Sequence, residues 1–516
     1  IPMKRIIFIA ILIVFHVGHS QSFQKTKGLE AFKGFFDFYY DASQDKIFLT
    51  VKTLNQDFLY VNSLAAGVGS NDLGLDRGKL GKTAVVHFQK AGNKLLLVQA
   101  NLGFRAVTNN IEERKSVQEA FAQSVLEGFP IVESNGDSYL IDISRLLLSD
   151  VFGITANLRR NKQGSYRLDA GKSAMFLERT KAFPKNIEFE ALLTFTGEAK
   201  GSFIRSVAPN SERITVRQHH SFIELPDDDY EMRTFDTRSG SIFRSYKDYA
   251  TPIEETITKR FIVRHRLKKK QPNAPLSEPV EPIIYYLDRG APEPIKSALL
   301  EGGSWWNQAF EAAGFLNAFQ VKILPDDADP LDLRYNVIQW VHRSTRGWSY
   351  GSSISDPRTG EIIKGHVSLG SLRIRQDFLI AQALQAPYAN NQTNDQFAME
   401  MALARIRQLS AHEVGHTLGF AHNFAASTQN RCSVMDYPHP LITVAGDRLD
   451  FSNAYATGIG DWDKITVTYA YGEFPDNEAE NLQRVLDEAY SKGFRYISDS
   501  DARASGGAHA YAHLWD

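Results

Sequence analysis

The 516-residue chain has a single cysteine, Cys432. One thiol closes no intrachain disulfide, so the fold must rest on a packed core. Cys432 also lies far from the N-terminus, which excludes lipid attachment to an N-terminal cysteine. An excess of one charge is missing too. There are 58 Lys and Arg against 60 Asp and Glu, a formal net charge of −2. That balance gives no electrostatic reason to expect nucleic acid as a partner. Internal repeats and low-complexity tracts are absent. Long apolar runs are absent except near the start, where Lys4 and Arg5 precede the run Ile6 to Val17 and the small residues Gly18, Ser20 and Ser22. This run is shorter than the roughly 20 apolar residues that span a bilayer. Its order is that of a secretory signal peptide cleaved near Ser20 or Ser22. The expectation is a secreted or periplasmic protein with no stable membrane insertion after cleavage.

What remains is an ordinary globular composition, 43% hydrophobic and 23% charged, with length for about three domains. From about 35 to 105 the chain reads as short strands, among them Phe35 to Tyr40, Lys46 to Val51, Ala84 to Phe88 and Lys94 to Gln99, parted by turn residues. Glu112 to Leu126 carries Val117, Ala120, Phe121 and Val125 at helical spacing. Strands are expected again at Tyr139 to Ile143, Ile187 to Thr196 and Phe222 to Leu225. The basic run Arg264 to Lys270, followed by Gln271-Pro272-Asn273-Ala274-Pro275, reads as a solvated connection. Beyond it come strands at Pro282 to Leu287, Phe319 to Leu324, Tyr335 to Val341 and Ile362 to Leu369. Helices are expected at Glu293 to Ala313, Gln396 to Leu418 and Asn477 to Gly493. The fold class is therefore α+β, a twisted mixed sheet packed on helices behind a β-rich region.

The chemistry concentrates in Ser410-Ala411-His412-Glu413-Val414-Gly415-His416-Thr417-Leu418-Gly419-Phe420-Ala421-His422. His412 and His416 are one helical turn apart, so their imidazoles share a face and can bind one metal ion. Glu413 projects beside that ion, placed to take a proton from a metal-bound water. Gly419 tolerates the left-handed backbone that ends a helix sharply, and such a turn brings His422 back as a third ligand. Three protein ligands with an open fourth position are the catalytic arrangement of zinc. A closed structural site, with Cys432 as fourth ligand, is the alternative, and it leaves Glu413 unexplained. His219, His220 and His366 read as satisfied or exposed histidines, and Asp326-Asp327-Ala328-Asp329 as a solvated turn. Asn391-Gln392-Thr393 matches a glycosylation acceptor.

Downstream, Ser433-Val434-Met435-Asp436-Tyr437-Pro438 together with the histidine segment resembles the methionine turn of the metzincins. The resemblance implies Met435 as an apolar floor under one zinc ion and Tyr437 as a group that reaches the metal or steadies the transition state. It also implies an extended protein or peptide substrate along an edge strand, for which Gly365, His366, Val367, Ser368, Leu369 and Gly370 are the candidates. The whole chain is similar to bacterial secreted zinc-dependent metalloproteases in which accessory domains precede the catalytic one. Leu73 to Gly78, Arg217 to Ser221, Arg334 to Val337 and Asp356 to Gly370 carry that likeness. Residues 1–20 are then a signal peptide, 21–105 a β-rich domain, 106–262 an α+β accessory domain and 263–280 a linker. Residues 281–475 form the zinc peptidase domain, and 476–516 begin a C-terminal region that continues further. The accessory region has no cysteine with which to cap the metal. A hydrolase of non-peptide amides and a non-catalytic binding protein are the competing readings.

Overall fold

The computed structural model describes residues 23–344, 347–386, 394–446, 448–502 and 509–512. The segment read as a signal peptide, the Asn391 sequence match and most of the last fourteen residues lie outside them. Among the described residues, no helix is long and apolar enough to cross a membrane.

A thirteen-stranded sheet occupies residues 30–223, and its strand pairs are antiparallel. Phe38 sits on the second strand of the sheet order and Phe189 on the tenth, yet their rings lie 4.9 Å apart. The sheet therefore curls over itself, closing on Phe38, Phe58, Phe88, Phe129, Phe189 and Phe222. Alternation sends these rings inward and leaves the opposite face for other contacts. No boundary falls at 105. Lys94–Gln99 pairs with Ser124–Asn135, and Phe58–Ala66 with Arg213–Ile223, so the two expected domains are one body. The helix expected through Leu126 stops at Ala120. Asn110 caps its start, and Val125 instead pairs with Val98 in the sheet.

The C-terminal half is built on a six-stranded sheet. Glu361–Gly370 lies beside Asn336–Val341, then Ile283–Leu287, then Phe319–Ile323, all parallel. Tyr350–Ser355 pairs antiparallel with the other side of Glu361–Gly370. On one face lie the long helix Asp395–Thr417 and the helices Ile295–Ser304 and Trp306–Ala312, which break the single expected helix at Trp305. Gly302 makes the helix contact close: a Cβ there would lie 2.0 Å from the Arg407 carbonyl oxygen.

The other face meets the curled sheet. Leu59, Val61, Val85 and Ile223 pack on Ile354, with Leu333 and Ile363 beside them. Asn186 donates to the Leu331 carbonyl at 3.0 Å and accepts from the Leu333 amide at 3.2 Å. Buried nearby, His219 lies 2.5 Å from Glu188 and 3.0 Å from Glu190. His366 is also buried at this interface, against Gly78.

The basic stretch 263–280 is no solvated linker. Arg264–His265 pairs with Glu361–Ile362, and Leu267 and Lys269 are buried. Its charges are met locally: Arg266 bonds Glu361 and Asp227, and the Lys269 ammonium caps the Ala274 and Pro275 carbonyls. Paired cations with apolar stems pack well, and composition alone does not reveal the pairing.

Candidate active site

The long helix starts where the Asn394 side chain accepts from the Phe397 amide. It ends in a left-handed turn. The Gly419 amide bonds the His416 carbonyl, and the Phe420 amide reaches back to Gly415. These two bonds, with Gly419 at φ +98°, form a Schellman cap. Glycine is required twice over, because a Cβ at 419 would also lie 1.9 Å from the Val263 carbonyl oxygen. A second strand of chain steadies the turn: the Ile242 amide donates to Gly419, and the Ala421 amide to Gly240.

This turn brings His412, His416 and His422 together. Ring centroids are 4.8 Å apart for the first pair, 5.2 Å for His412 and His422, and 4.7 Å for His416 and His422. Each Nδ1 is tied outward: His412 to the Val434 carbonyl at 2.8 Å, His416 to the Phe420 carbonyl at 2.8 Å, and His422 to the Asp499 carboxylate at 2.7 Å. A ring whose Nδ1–H donates presents Nε2 as a lone pair. The inner nitrogens therefore converge, with His416 Nε2 and His422 Nε2 at 3.1 Å. Burial, and after it the neighbouring rings, holds His412 well below its ordinary pKa and pushes His416 down to about 4. Neutral imidazoles are what a zinc ion needs. Among the described residues this is the one group of three or more His, Cys, Asp or Glu side chains placed to hold a metal ion, and no fourth joins it. The donor set fits zinc with an open position. Cys432 is buried elsewhere, its thiol pushed up to about 12 by burial and by Asp463 and Asp436.

Met435 lies buried under the helix. A Cβ on Gly415 would stand 2.3 Å from its sulfur and 2.5 Å from the Trp306 ring, so the floor presses directly on the turn between two histidines. Buried Asp463 holds this segment by accepting from the Ser433 hydroxyl, the Val434 amide and the Gly460 amide. It thus fixes the carbonyl that orients His412. The half-buried Tyr437 ring lies 4.7 Å from His422 and 5.5 Å from His412. Glu413 is 5% exposed. Burial pushes its carboxyl up to about 8, against the pull of Arg405 and of the nearby Gly351 backbone amide.

Gly365 to Gly370 is not an edge. It is paired on both sides, by Asn336–Val341 and by Tyr350–Ser355. Tyr350–Ser355 is the edge strand, and Gly351 lets it lie on the helix, since a Cβ there would stand 2.0 Å from the Glu413 carbonyl oxygen. The antiparallel return Tyr350–Ser355 runs outside the strand that the resemblance pointed to, and only the pairing separates the two. Asp499 was missed as well. It comes from the segment after the helix Glu478–Ser491, which is held by bonds from Asn423 to Arg495 and from the Phe424 amide to Ile497. No local motif marks it.

Residues 78–270 match the family model of a domain of unknown function (DUF5117), and residues 394–516 match the model described as Met-zincin. No curated protein matches the chain. The Met-zincin match over residues 394–516 and the three-histidine cluster support a metzincin-type domain there, imply a zinc ion and suggest a zinc-dependent metallopeptidase.

Proposed function

We propose that the chain is a zinc-dependent endopeptidase, exported by the apolar segment at its start. The observation that carries the reading is the set of three Nε2 lone pairs turned inward by three outward Nδ1 bonds, with Glu413 buried beside them. Zinc, when held by His412, His416 and His422, supplies a Lewis acid and lowers the pKa of water toward about 7. Glu413 takes the proton from the attacking water and passes it to the leaving amine. Tyr437 offers its hydroxyl to the oxyanion of the tetrahedral intermediate. An extended peptide pairs along the outer side of Tyr350–Ser355, where backbone bonds give affinity with little sequence demand.

The test is hydrolysis of denatured casein by the zinc-loaded chain and by Glu413→Ala, with bound zinc measured in both. Cleavage by the parent, its loss by roughly a thousandfold in the variant and equal zinc support the reading. Equal zinc with no cleavage by either protein refutes it.

A further inference from the structure

The stretch Leu73 to Gly78 belongs to the accessory half, yet its loop grips the chain that leads into the edge strand. The Gly69 carbonyl accepts from the Ser344 amide at 2.8 Å. Asn71 donates its side-chain amide to the Trp348 carbonyl at 2.9 Å. Asp76 accepts from Arg343 Nε at 2.8 Å, with the second guanidinium nitrogen at 2.7 Å, and both side chains are essentially inaccessible. The same carboxylate accepts from the Tyr350 hydroxyl at 3.2 Å. Lys79 lies over the Tyr350 ring at 4.5 Å. Tyr350 is the first residue of the edge strand, and the next residue, Gly351, lies against Glu413, whose carbonyl oxygen would stand 2.0 Å from a Cβ at 351. Accessory loop, edge strand and Glu413 thus form one chain of contacts.

A buried carboxylate shared between an arginine and a tyrosine is a rigid joint, because its partners lose far more than one bond if they separate. Joining two bodies needs no such joint at this place. The Asn186 contacts and the apolar packing around Ile223 already do that elsewhere on the interface.

We propose that the accessory loop 69–78 is a positioning element of the peptidase site, with Asp76 acting through Arg343 and Tyr350 to set the edge strand over Glu413. The proposal rests on the endopeptidase reading. It gives the accessory domain a task in every turnover, and it makes Asp76 and Tyr350 determinants of substrate affinity.

The test compares zinc-loaded Asp76→Asn, Tyr350→Phe and Asn186→Ala with the parent, all below their unfolding temperatures. Two quantities are read: deuterium uptake of the peptide spanning 348–355, and kcat and KM on an extended peptide. In the two loop variants, uptake across 348–355 rises several-fold and KM rises roughly tenfold with kcat little changed, whereas Asn186→Ala moves neither. Uptake or KM changes no larger than those of Asn186→Ala overturn the proposal. Tyr350→Phe loses only a hydroxyl, so it carries the test if Asp76→Asn does not fold. If the parent cleaves no peptide, the endopeptidase reading falls, and the uptake comparison alone decides the positioning role.

Discussion

His422 and Asp499 stand 77 positions apart in the chain and 2.7 Å apart in space. The carboxylate accepts from Nδ1, which fixes the ring's tautomer and aims Nε2 at the other two ligands. Asp499→Ala is expected to weaken zinc binding by roughly 10- to 100-fold, with Asp499→Asn between the variant and the parent. Competition with a chelator measures this directly. Unchanged affinity in both variants would remove Asp499 from the site.

Gly419→Ala places a side chain on a left-handed residue and drives its Cβ into the Val263 carbonyl. The expected cost is about 2 kcal/mol or more of stability, with loss of zinc affinity because His422 depends on that turn. Thermal unfolding with and without zinc reports both.

Tyr437→Phe keeps the ring between His412 and His422 and removes only the hydroxyl. If that hydroxyl meets the oxyanion, kcat falls by roughly 10-fold or more while zinc content and unfolding temperature hold. A drop in zinc content instead would make Tyr437 a group that serves the metal.

His219 gives a pH dependence. Burial alone would strip its proton, but the bonds to Glu188 and Glu190 outweigh burial and raise its pKa to about 9. The folded state therefore holds that proton more tightly than the unfolded state does. The stabilisation is complete below about pH 6.5 and is lost as pH rises through about 9. Lys364, lowered to about 8 by burial, acts in the opposite sense only above that pH. Between pH 6.5 and 8 the parent should lose stability faster than His219→Gln, by about 1 kcal/mol per pH unit. Denaturant unfolding at four pH values across that window measures the difference, and parallel slopes would show that His219 does not titrate this way.

The three-histidine cluster was legible because its members sit within eleven consecutive residues, and because one glycine announces the turn that closes them. Most strands and helices were legible too, since each shows its own periodicity. What pairs with what was not. Gly365 to Gly370 and Tyr350 to Ser355 are both plausible edges as sequence, and only the return of one onto the other decides. The break expected at 105 vanished because Lys94–Gln99 pairs across it. The basic stretch at 263–280 looked solvated because Glu361 and Asp227, which neutralise Arg266, come from distant parts of the chain. Asp499 carries no local signature. Asp76 was noticed for its surroundings, yet nothing in them says that Arg343 lies opposite.

The turn bearing His422 is braced from both directions, by Gly240 and Ile242 upstream and by Arg495, Ile497 and Asp499 downstream. Chains emerge from the ribosome in one direction, so the last of these braces arrives more than seventy residues after the histidine it orients. A growing chain therefore carries all three ligands before it can hold them in place. The three-histidine cluster is thus completed by residues that lie well beyond it in the chain.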